Sequence, residues 1–265
     1  MKQLIFLLRF LNYYVKGSTK YDIHSPFVYD LMAIFEDRNP YPTYDKIETL
    51  RQQLIADKTN LKVADSGANS FHNKSSVMVT KEISISTIAK KSAKPAKYAQ
   101  LLFRLAKHLK PKTIIELGTS LGLSSLYQAL ALPDSQVITC EGSEAIAGVA
   151  KKNFEQLNVT NVECVVGNFD QTFETILNRY DTVDWIFFDG NHRKEPTLRY
   201  FEMALKKTNS NTVFIFDDIN WSSEMSAAWS TIKQHPAATV TLDIYMMGFV
   251  FFNTDLSKEN FTIRF

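Results

Sequence analysis

The chain has 265 residues, of which 45% are hydrophobic and 22% are charged. That composition is enough for one sizeable buried core, and it excludes a mostly disordered chain. The 30 basic and 28 acidic residues leave a formal net charge of +2, which gives no electrostatic case for a nucleic-acid partner. The two cysteines, Cys140 and Cys164, fall inside short apolar runs. We therefore expect reduced core thiols in a reducing, cytoplasmic compartment.

Residues 4–15 carry apolar side chains at helical spacing, which predicts an amphipathic helix. The stretch is too short to span a bilayer, and Arg9 interrupts its apolar run, which argues against a signal peptide. The favoured interpretation is that this helix packs on the protein itself or on a second subunit, as in a homodimer. Contact with a membrane surface is the alternative, and it is less favoured because Lys2, Arg9 and Lys16 are few cations.

The sequence up to about residue 110 has helical patterns and no convincing strand. Pro26 can open a helix that the cluster at residues 39–42 ends. Further helices are expected over residues 44–58, 84–92 and 95–109. Residues 64–76 are small and polar, and they predict a long exposed loop of the kind that forms lids or binding loops. We expect residues 1–94 to form a helical cap that covers a small-molecule acceptor.

From Lys112 onward, short apolar runs alternate with helical patterns. The runs are Thr113–Leu117, Gln136–Cys140, Val162–Val166, Val183–Phe188 and Thr212–Phe216. The helical patterns are Ser124–Leu132, Glu144–Leu157, Phe173–Arg179, Glu195–Lys207 and Ser222–Gln234. Two last strands, at residues 239–245 and 248–253, are too close in sequence to be anything but an antiparallel hairpin. The fold class predicted for residues 95–265 is α/β: a doubly wound, mostly parallel seven-stranded sheet with a C-terminal antiparallel hairpin.

In an open parallel sheet, ligands bind beyond the carboxyl ends of the strands. The first strand of this region ends in the segment 116–122, Glu-Leu-Gly-Thr-Ser-Leu-Gly, and a helix follows. The second strand ends at Glu141, where a carboxylate can accept hydrogen bonds from ribose hydroxyls. Two glycines and the acidic Glu116 favour a cofactor with an ammonium group over the pyrophosphate of NAD, which prefers three glycines. A plain strand-to-helix turn that needs glycine only for its backbone is the alternative.

These segments resemble the class I S-adenosylmethionine-dependent methyltransferases, over roughly residues 95–265. Glu116-x-Gly118-x-x-x-Gly122 looks like motif I of that family, and Glu141 looks like the acid that holds the ribose. Gly167-Asn168-Phe169 looks like the segment that flanks the adenine. The resemblance implies S-adenosylmethionine as the cofactor. The candidate cofactor-binding residues are Glu116, Gly118, Thr119, Ser120, Gly122, Ser124, Glu141, Gly142, Asn168, Phe169 and Asp189.

Acidic residues also end the fourth and fifth strands of this region. Asp189 follows one apolar run, and Asp217 and Asp218 follow the next. If the two strands are neighbours, about 4.8 Å apart, their terminal carboxylates converge and repel one another unless a cation lies between them. Asp189, Asp217 and Asp218 are therefore candidate ligands of Mg²⁺ or another divalent cation, with Asn220 in reserve. The alternatives are that Asp217 and Asp218 cap the helix beginning near Ser222, and that Asp189 contacts only the cofactor.

This pattern is similar to that of the catechol-type and related small-molecule O-methyltransferases. The resemblance implies a divalent cation that binds the acceptor oxygens and lowers their pKa. The catechol-type enzymes carry a catalytic lysine three residues after the acid on the fourth strand, and here that position is His192. We predict His192 as the general base, with Asp189 as the second catalytic residue.

A small-molecule O-methyltransferase is the leading hypothesis for the function. An NAD-linked oxidoreductase and a catalytically silent binding module are the alternatives. A nucleic-acid methyltransferase is disfavoured, because the residues after Asp189 lack the Pro-Pro-aromatic motif that amino-methylating enzymes of that class carry.

Overall fold

The computed structural model describes residues 2–64 and 80–265 of the chain. The predicted loop at residues 64–76 lies outside the described residues, except for Ala64. The chain divides into two compact units. One consists of Arg38–Ile176, and the other combines Met1–Asp37 with Leu177–Phe265. The proposed boundary between a cap and a main domain at residues 94 and 95 stays a prediction.

The unit at residues 38–176 is built from helices that flank parallel strands. Its helices are α3 (Pro42–Ala56), α4 (Ile85–Lys91), α5 (Ala96–Leu109), α6 (Leu123–Ala131), α7 (Glu144–Gln156) and α8 (Phe169–Leu177). Its strands are β1 (Asn60–Ala64), β2 (Thr80–Ser84), β3 (Thr113–Leu117), β4 (Gln136–Glu141) and β5 (Val162–Val166). Strands β3, β4 and β5 pair in that order, all parallel. They confirm three of the predicted apolar runs.

The other unit holds the two chain ends. Its helices are α1 (Lys2–Lys16), α2 (Pro26–Glu36), α9 (Lys194–Leu205) and α10 (Ser223–Gln234), with a 3₁₀ turn at Lys20–Asp22. Its strands are β6 (Trp185–Phe188), β7 (Val213–Asp217), β8 (Val240–Asp243), β9 (Met247–Phe251) and β10 (Glu259–Thr262). Strands β6 and β7 are parallel, whereas β9 is antiparallel to both β7 and β8. The predicted C-terminal hairpin is therefore confirmed as β8 and β9.

The fold class is α/β, with a mostly parallel central sheet of eight strands. The eighth strand, β10, was not predicted. Its residues are Glu259, Asn260, Phe261 and Thr262, and the first two are exposed. An edge strand of this kind lacks the buried apolar run by which strands are recognised in a sequence. β10 pairs in parallel with β8.

The expectation of no strand before about residue 110 was wrong. Strands β1 and β2 form an antiparallel pair in which Leu61 faces Ile83 and Val63 faces Lys81. Each strand has five residues and only one or two large apolar side chains, so neither shows a clear alternation. The two strands are also far apart in sequence, so no short turn between them predicts a hairpin.

Burial explains why the central strands were readable from the sequence. Every residue of β6 and of β7 is buried, as is the hairpin strand β9. Strands covered on both faces consist of continuous apolar runs. Among the described residues, no helix is both long and apolar enough to cross a membrane.

Candidate functional site

The turn from β3 into α6 has a backbone that glycine makes accessible. Gly118 and Gly122 have φ angles of 107° and 82°, in the left-handed region, and Ser120 between them has 49°. The N–H groups of Gly118 and Thr119 both donate to the carbonyl of Cys140 at 3.0 Å, which ties the turn to the end of β4. The turn therefore has one fixed shape at the carboxyl end of β3, where ligands bind in sheets of this type.

Gly122 is also required for packing. A Cβ atom built on it would lie 2.6 Å from Cε1 of Phe154 and 3.2 Å from Cβ of Ala150, both on α7. Such a distance is far below van der Waals contact, so the absence of a side chain lets α6 begin against α7. Gly142, at the end of β4, differs because a Cβ atom there would meet nothing within 4 Å. The space beside Gly142 is open.

Glu116, the acid of the motif, is fully buried. Its carboxylate accepts hydrogen bonds from Ser125 Oγ, from Thr139 Oγ1 at 2.7 Å and from Gln128 Nε2 at 3.1 Å. Burial raises the pKa of the Glu116 carboxyl above its usual range, and these hydrogen bonds oppose that rise. The side chain thus ties β3 to β4 and α6. Its predicted contact with the ammonium group of a cofactor stays a prediction.

Glu141 stands half-buried at the end of β4, as predicted. Its carboxylate accepts hydrogen bonds from the N–H of Ser120 at 2.9 Å and from the N–H of Ser143 at 3.0 Å. Burial raises the pKa of the carboxyl, and the backbone donors partly offset the rise. Each oxygen has a second lone pair, so Glu141 can accept further hydrogen bonds from ligand hydroxyls. Two backbone donors hold the carboxylate in place for that purpose.

The remaining predicted cofactor residues of this unit lie on three neighbouring segments. Thr119 is buried, and its hydroxyl lies 2.7 Å from that of Thr139. Ser124 lies in the first turn of α6, and its carbonyl accepts from Gln128. Asn168 is exposed at the start of α8, where its side chain accepts from the N–H of Asp170 at 3.0 Å. Phe169 is the first residue of that helix. A structural role as helix cap therefore accompanies the predicted ligand role of Asn168.

In the other unit, the ends of β6 and β7 bring acids together. The two strands are parallel neighbours in which Phe188 faces Phe216, and the two rings stack with centroids 4.5 Å apart. Asp189 directly follows Phe188, and Asp217 directly follows Phe216. The expected pairing of these strands is thereby confirmed.

Asp189, Asp217 and His192 form a cluster suited to a metal ion. Each offers one ligand atom, and the three atoms all lie within 4.8 Å of one another. Nε2 of His192 lies 3.7 Å from Oδ1 of Asp189 and 4.0 Å from Oδ2 of Asp218. Two ligands of one Mg²⁺ at about 2.1 Å are at most about 4.2 Å apart, so only a small closure is needed to hold a cation. Asp217 is 2% exposed, whereas the other two are half-buried, so the cluster opens to one side.

The sequence predicted His192 as the general base, and its position as a candidate metal ligand was not recognised. The two carboxylates suit Mg²⁺ or Mn²⁺, whereas an imidazole ligand would favour Zn²⁺ or Fe²⁺. The signal was available, because His192 lies three residues after Asp189 on the same loop. One nitrogen of His192 cannot bind a cation and accept a proton at the same time.

The alternative that Asp217 and Asp218, at the end of β7, cap the next helix is wrong. The cap of α10 is Ser222, whose hydroxyl accepts from the N–H of Met225 at 3.1 Å. Asp218 instead has a φ angle of 54°, in the left-handed region, which turns the chain sharply after the strand. Asn220, the reserve ligand, donates to the carbonyl of Tyr245 at 2.9 Å. Its amide anchors this loop to the β8–β9 connection.

Comparison with known proteins finds matches over part of the chain. Residues 115–219 match a family model described as a methyltransferase domain. Over 131 residues, the chain is 32% identical to the catechol O-methyltransferase of Niastella koreensis, which covers 48% of this chain and 57% of that protein. Over 96 residues it is 34% identical to the tRNA (guanine-N(7)-)-methyltransferase of Mycoplasma mobile, covering 35% of this chain and 47% of that protein. The chain thus spans about half the length of these curated relatives.

Solved structures share the fold over most of the chain. An O-methyltransferase from Bacillus cereus, solved in complex with SAH, aligns with a TM-score of 0.56 at 20% identity. The alignment covers 84% of this chain and 97% of that one. Together with the family match, it confirms the resemblance to the class I S-adenosylmethionine-dependent methyltransferases.

Proposed function

We propose that the chain, whose residues 115–219 match a methyltransferase-domain family model, transfers a methyl group from S-adenosylmethionine to a hydroxyl of a small molecule, with the help of a divalent cation. The observation that carries the proposal is the cluster of Asp189, His192 and Asp217 at the ends of two neighbouring parallel strands. The match to a methyltransferase domain supports the choice of cofactor only, because relatives that use this cofactor have different acceptors. The cluster supplies the reason to choose an oxygen acceptor.

The cofactor role falls to the turn after β3 and the end of β4. Glu141, held by Ser120 and Ser143, would accept hydrogen bonds from the ribose hydroxyls. The open space beside Gly142 leaves room for the nucleoside. The bound SAH of the Bacillus cereus neighbour supports this cofactor class.

The reaction forms an oxygen–carbon bond as the sulfonium carbon–sulfur bond breaks. The products are a methyl ether, S-adenosylhomocysteine and the proton of the hydroxyl. A cation held by Asp189, Asp217 and His192 would lower the pKa of the acceptor hydroxyl. When His192 is not a ligand, its imidazole can take the proton and pass it to solvent, since His192 is half-buried with an open side. Asp189, 3.7 Å from Nε2, would stabilise the imidazolium that results.

Other acceptors and functions remain outcomes of the test. A small acceptor is favoured over RNA by the even charge balance. The tRNA-methylating relative is similar over 96 residues only. If the chain is an NAD-linked oxidoreductase, it should bind NAD instead of the methyl cofactors. If it is a silent binding module, it should bind a ligand without turnover. The proposal also includes a reducing, cytoplasmic location for the protein, in which Cys140 and Cys164 stay reduced.

The test is titration calorimetry of the purified chain with S-adenosylmethionine, S-adenosylhomocysteine and NAD, each with and without Mg²⁺. We expect the two methyl cofactors to bind and NAD not to bind. Glu141→Gln should weaken cofactor binding at least tenfold, since it loses charge-assisted hydrogen bonds worth about 1.5–3 kcal/mol. Glu144→Gln, an exposed acid three residues away, is the matched control. Binding of NAD alone would favour the oxidoreductase.

Turnover tests the acceptor. The chain is incubated with methyl-labelled cofactor and either a panel of catechols and other phenols or bulk tRNA. The proposal is supported if the phenols become labelled and if this labelling is lost when a chelator is added or when Asp217 is changed to Asn. Asp255→Asn, at an exposed position, is the control. Label in tRNA, or metal-independent label in the phenols, contradicts it. Cofactor binding without turnover on any acceptor points to the binding module.

A further inference from the structure

The turn between β8 and β9 has a strained residue at its centre. Tyr245 has a φ angle of 71°, in the left-handed region that residues other than glycine rarely adopt. Its N–H donates to Oδ1 of Asp243 at 2.9 Å, and the N–H of Met246 donates to the carbonyl of Ile244 at 2.9 Å. Such a backbone conformation persists only where the surrounding structure holds it in place.

Helix α1 covers the side chain of this tyrosine. Tyr245 is 3% exposed, and its ring centroid lies 5.1 Å from that of Phe10, edge-on, and 5.2 Å from that of Tyr13. Burial raises the pKa of its phenol, and the positive charge of Arg9 opposes that rise. At about 100° per residue, positions 9, 10 and 13 of the helix fall within an arc of about 100°, so one side of α1 packs on the turn.

The C-terminal residues hold α1 in this position. The hydroxyl of Tyr13 donates to the carbonyl of Ile263 and accepts from the N–H of Phe265 at 3.1 Å. Nε of Arg264 donates to the carbonyl of Tyr14 at 2.9 Å. Together with the ring contacts at the turn, these hydrogen bonds fix the helix in one orientation.

The backbone of the same turn holds the segment that ends β7. Asp217, the last residue of that strand, pairs with Met247, the first residue of β9. Nδ2 of Asn220 donates to the carbonyl of Tyr245 at 2.9 Å. The N–H of Ile219 adds a hydrogen bond of 3.3 Å to a second carbonyl of the turn. The segment therefore follows the turn in its position.

We call residues 217–220 the acidic loop, because it carries two of the acids near the cation cluster. Asp217 belongs to that cluster with Asp189 and His192, and Oδ2 of Asp218 lies 4.0 Å from Nε2 of His192. A set of ligands must be held within about 0.5 Å of its working geometry by packed neighbours. A small shift of the acidic loop would thus separate the ligands.

We propose that Tyr245 is a positioning residue for the cation site. Helix α1 holds its ring, and its carbonyl holds the acidic loop in the place from which Asp217 contributes to the cluster. Asn220 is the link, because its Nδ2 donates to the turn while its Oδ1 accepts from Ser226 Oγ at 3.4 Å. The inference rests on the proposed function, because the cation is the one that the proposed reaction uses.

Titration calorimetry with Mg²⁺ tests whether the ring of Tyr245 sets the cation affinity. Tyr245→Gly removes the ring at a φ angle that glycine adopts freely, and it should weaken binding at least about tenfold, as loss of groups that orient metal ligands does. Tyr245→Phe keeps the ring, so its affinity should stay close to that of the wild type. A purely structural ring would not change the affinity of the folded protein.

Phe10→Ala tests the contribution of α1 from a distance. Phe10 is 38% exposed, so the change spares the core, and it should weaken Mg²⁺ binding in the same direction as Tyr245→Gly. Asn12→Ala, at an exposed position of the same helix, is the matched control. Asn220→Ala should also weaken binding. Combined with Tyr245→Gly, it should add little further loss, because the two changes break one link.

Hydrogen exchange measured by mass spectrometry, with a chelator present, tests the link without a cation. The N–H of Ile219 is bonded to the turn, so Phe10→Ala and Tyr245→Gly should speed exchange in the peptide that contains the acidic loop. Asn12→Ala and Tyr245→Phe should leave that exchange unchanged. Circular dichroism verifies that each variant folds.

Two results would overturn the proposal. The first is that Phe10→Ala and Tyr245→Gly fold and leave both the exchange of the acidic loop and the Mg²⁺ affinity unchanged. The second is that Tyr245→Phe loses as much affinity as Tyr245→Gly, because the ring would then not be the group that matters. A wild-type chain that binds no Mg²⁺ would contradict the proposed function, whereas the exchange measurement decides independently whether α1 and Tyr245 hold the loop.

Discussion

At the scale of single residues, the Glu116 carboxyl depends on its hydrogen-bond donors. Ser125, Thr139 and Gln128 replace the water that burial removes. Because burial raises its pKa above the ordinary 4.5, the folded state binds this proton more tightly than the unfolded state does. The free energy of unfolding should therefore fall as pH rises from about 4.5 to the raised pKa, and then stay constant as far as this group is concerned.

Glu116→Gln isolates this effect from that of other acids. The variant should lack the part of the pH dependence of the unfolding free energy that is due to Glu116. The free energy of unfolding of the variant minus that of the wild type should therefore increase with pH across that window. Urea unfolding at a series of pH values measures the difference between the two proteins. Parallel pH profiles would show that the carboxyl titrates alike in both states.

Gly122 carries a separate prediction on stability. Gly122→Ala places a Cβ atom 2.6 Å from the ring of Phe154 at a φ angle of 82°. The left-handed backbone costs about 1–2 kcal/mol and overpacking about 1–3 kcal/mol, so we expect a loss of about 2–5 kcal/mol in the free energy of unfolding. Gly148→Ala, in α7 with nothing within 4 Å, is the control and should stabilise by up to about 1 kcal/mol. Equal effects of the two changes would contradict the packing argument.

The candidate site was partly predictable at this scale. The convergence of Asp189 and Asp217 followed from two strand ends, because parallel neighbours in register bring their last residues together. The surroundings of Glu116 were not predictable. Ser125, Gln128 and Thr139 lie on other elements, and the sequence does not say which side of β3 they cover. Whether an acid at a strand end faces a ligand or the interior depends on such contacts.

At the scale of elements, a partly buried polar link joins α3 to α6. The hydroxyl of Tyr127 on α6 donates to Oε1 of Glu48 on α3 at 2.9 Å, and Arg51 Nε contacts the same carboxylate at 2.9 Å. Burial, with the charge of Glu48, raises the pKa of Tyr127, so the phenol stays protonated and remains a donor. Helix α3 is thereby fixed on α6, whose first turn begins the candidate cofactor site.

Tyr127→Phe should lower the free energy of unfolding by about 1.5–3 kcal/mol, because a hydrogen bond to a charged group is lost in a buried place. Tyr21→Phe, at an exposed tyrosine, should stay within about 0.5 kcal/mol. A double-mutant cycle with Glu48→Gln gives the coupling between the two side chains. A coupling near zero would show that the two groups act independently.

Elements were predicted well where burial made the pattern clear. Strands β6, β7 and β9 are buried along their whole length, and α2 begins at the predicted Pro26. β1, β2 and β10 were missed because each is short and partly exposed. One side of α1 does pack on the protein, but no sequence pattern tells which apolar residues of a helix remain outside.

At the scale of the whole molecule, the chemistry is divided between two compact units. Residues 38–176 carry the glycine turn and Glu141, and the other unit carries the acids and His192. Each half offers groups that a ligand would bind in the folded state only. A ligand bound to either unit stabilises that unit by mass action, so its unfolding reports on the binding.

The metal prediction follows from this linkage. Without a cation, the neighbouring carboxylates of Asp189 and Asp217 repel each other, so Asp217→Asn should be at least as stable as the wild type in a chelator. With Mg²⁺ at about 100 times its dissociation constant, the wild type should gain about 2.7 kcal/mol and the variant nearly nothing. Thermal unfolding with chelator and across a Mg²⁺ series measures both effects, with Asp255→Asn as control. If Mg²⁺ stabilises the wild type and Asp217→Asn alike, the cation binds elsewhere, and the acids at the ends of β6 and β7 must act on the cofactor or the acceptor directly.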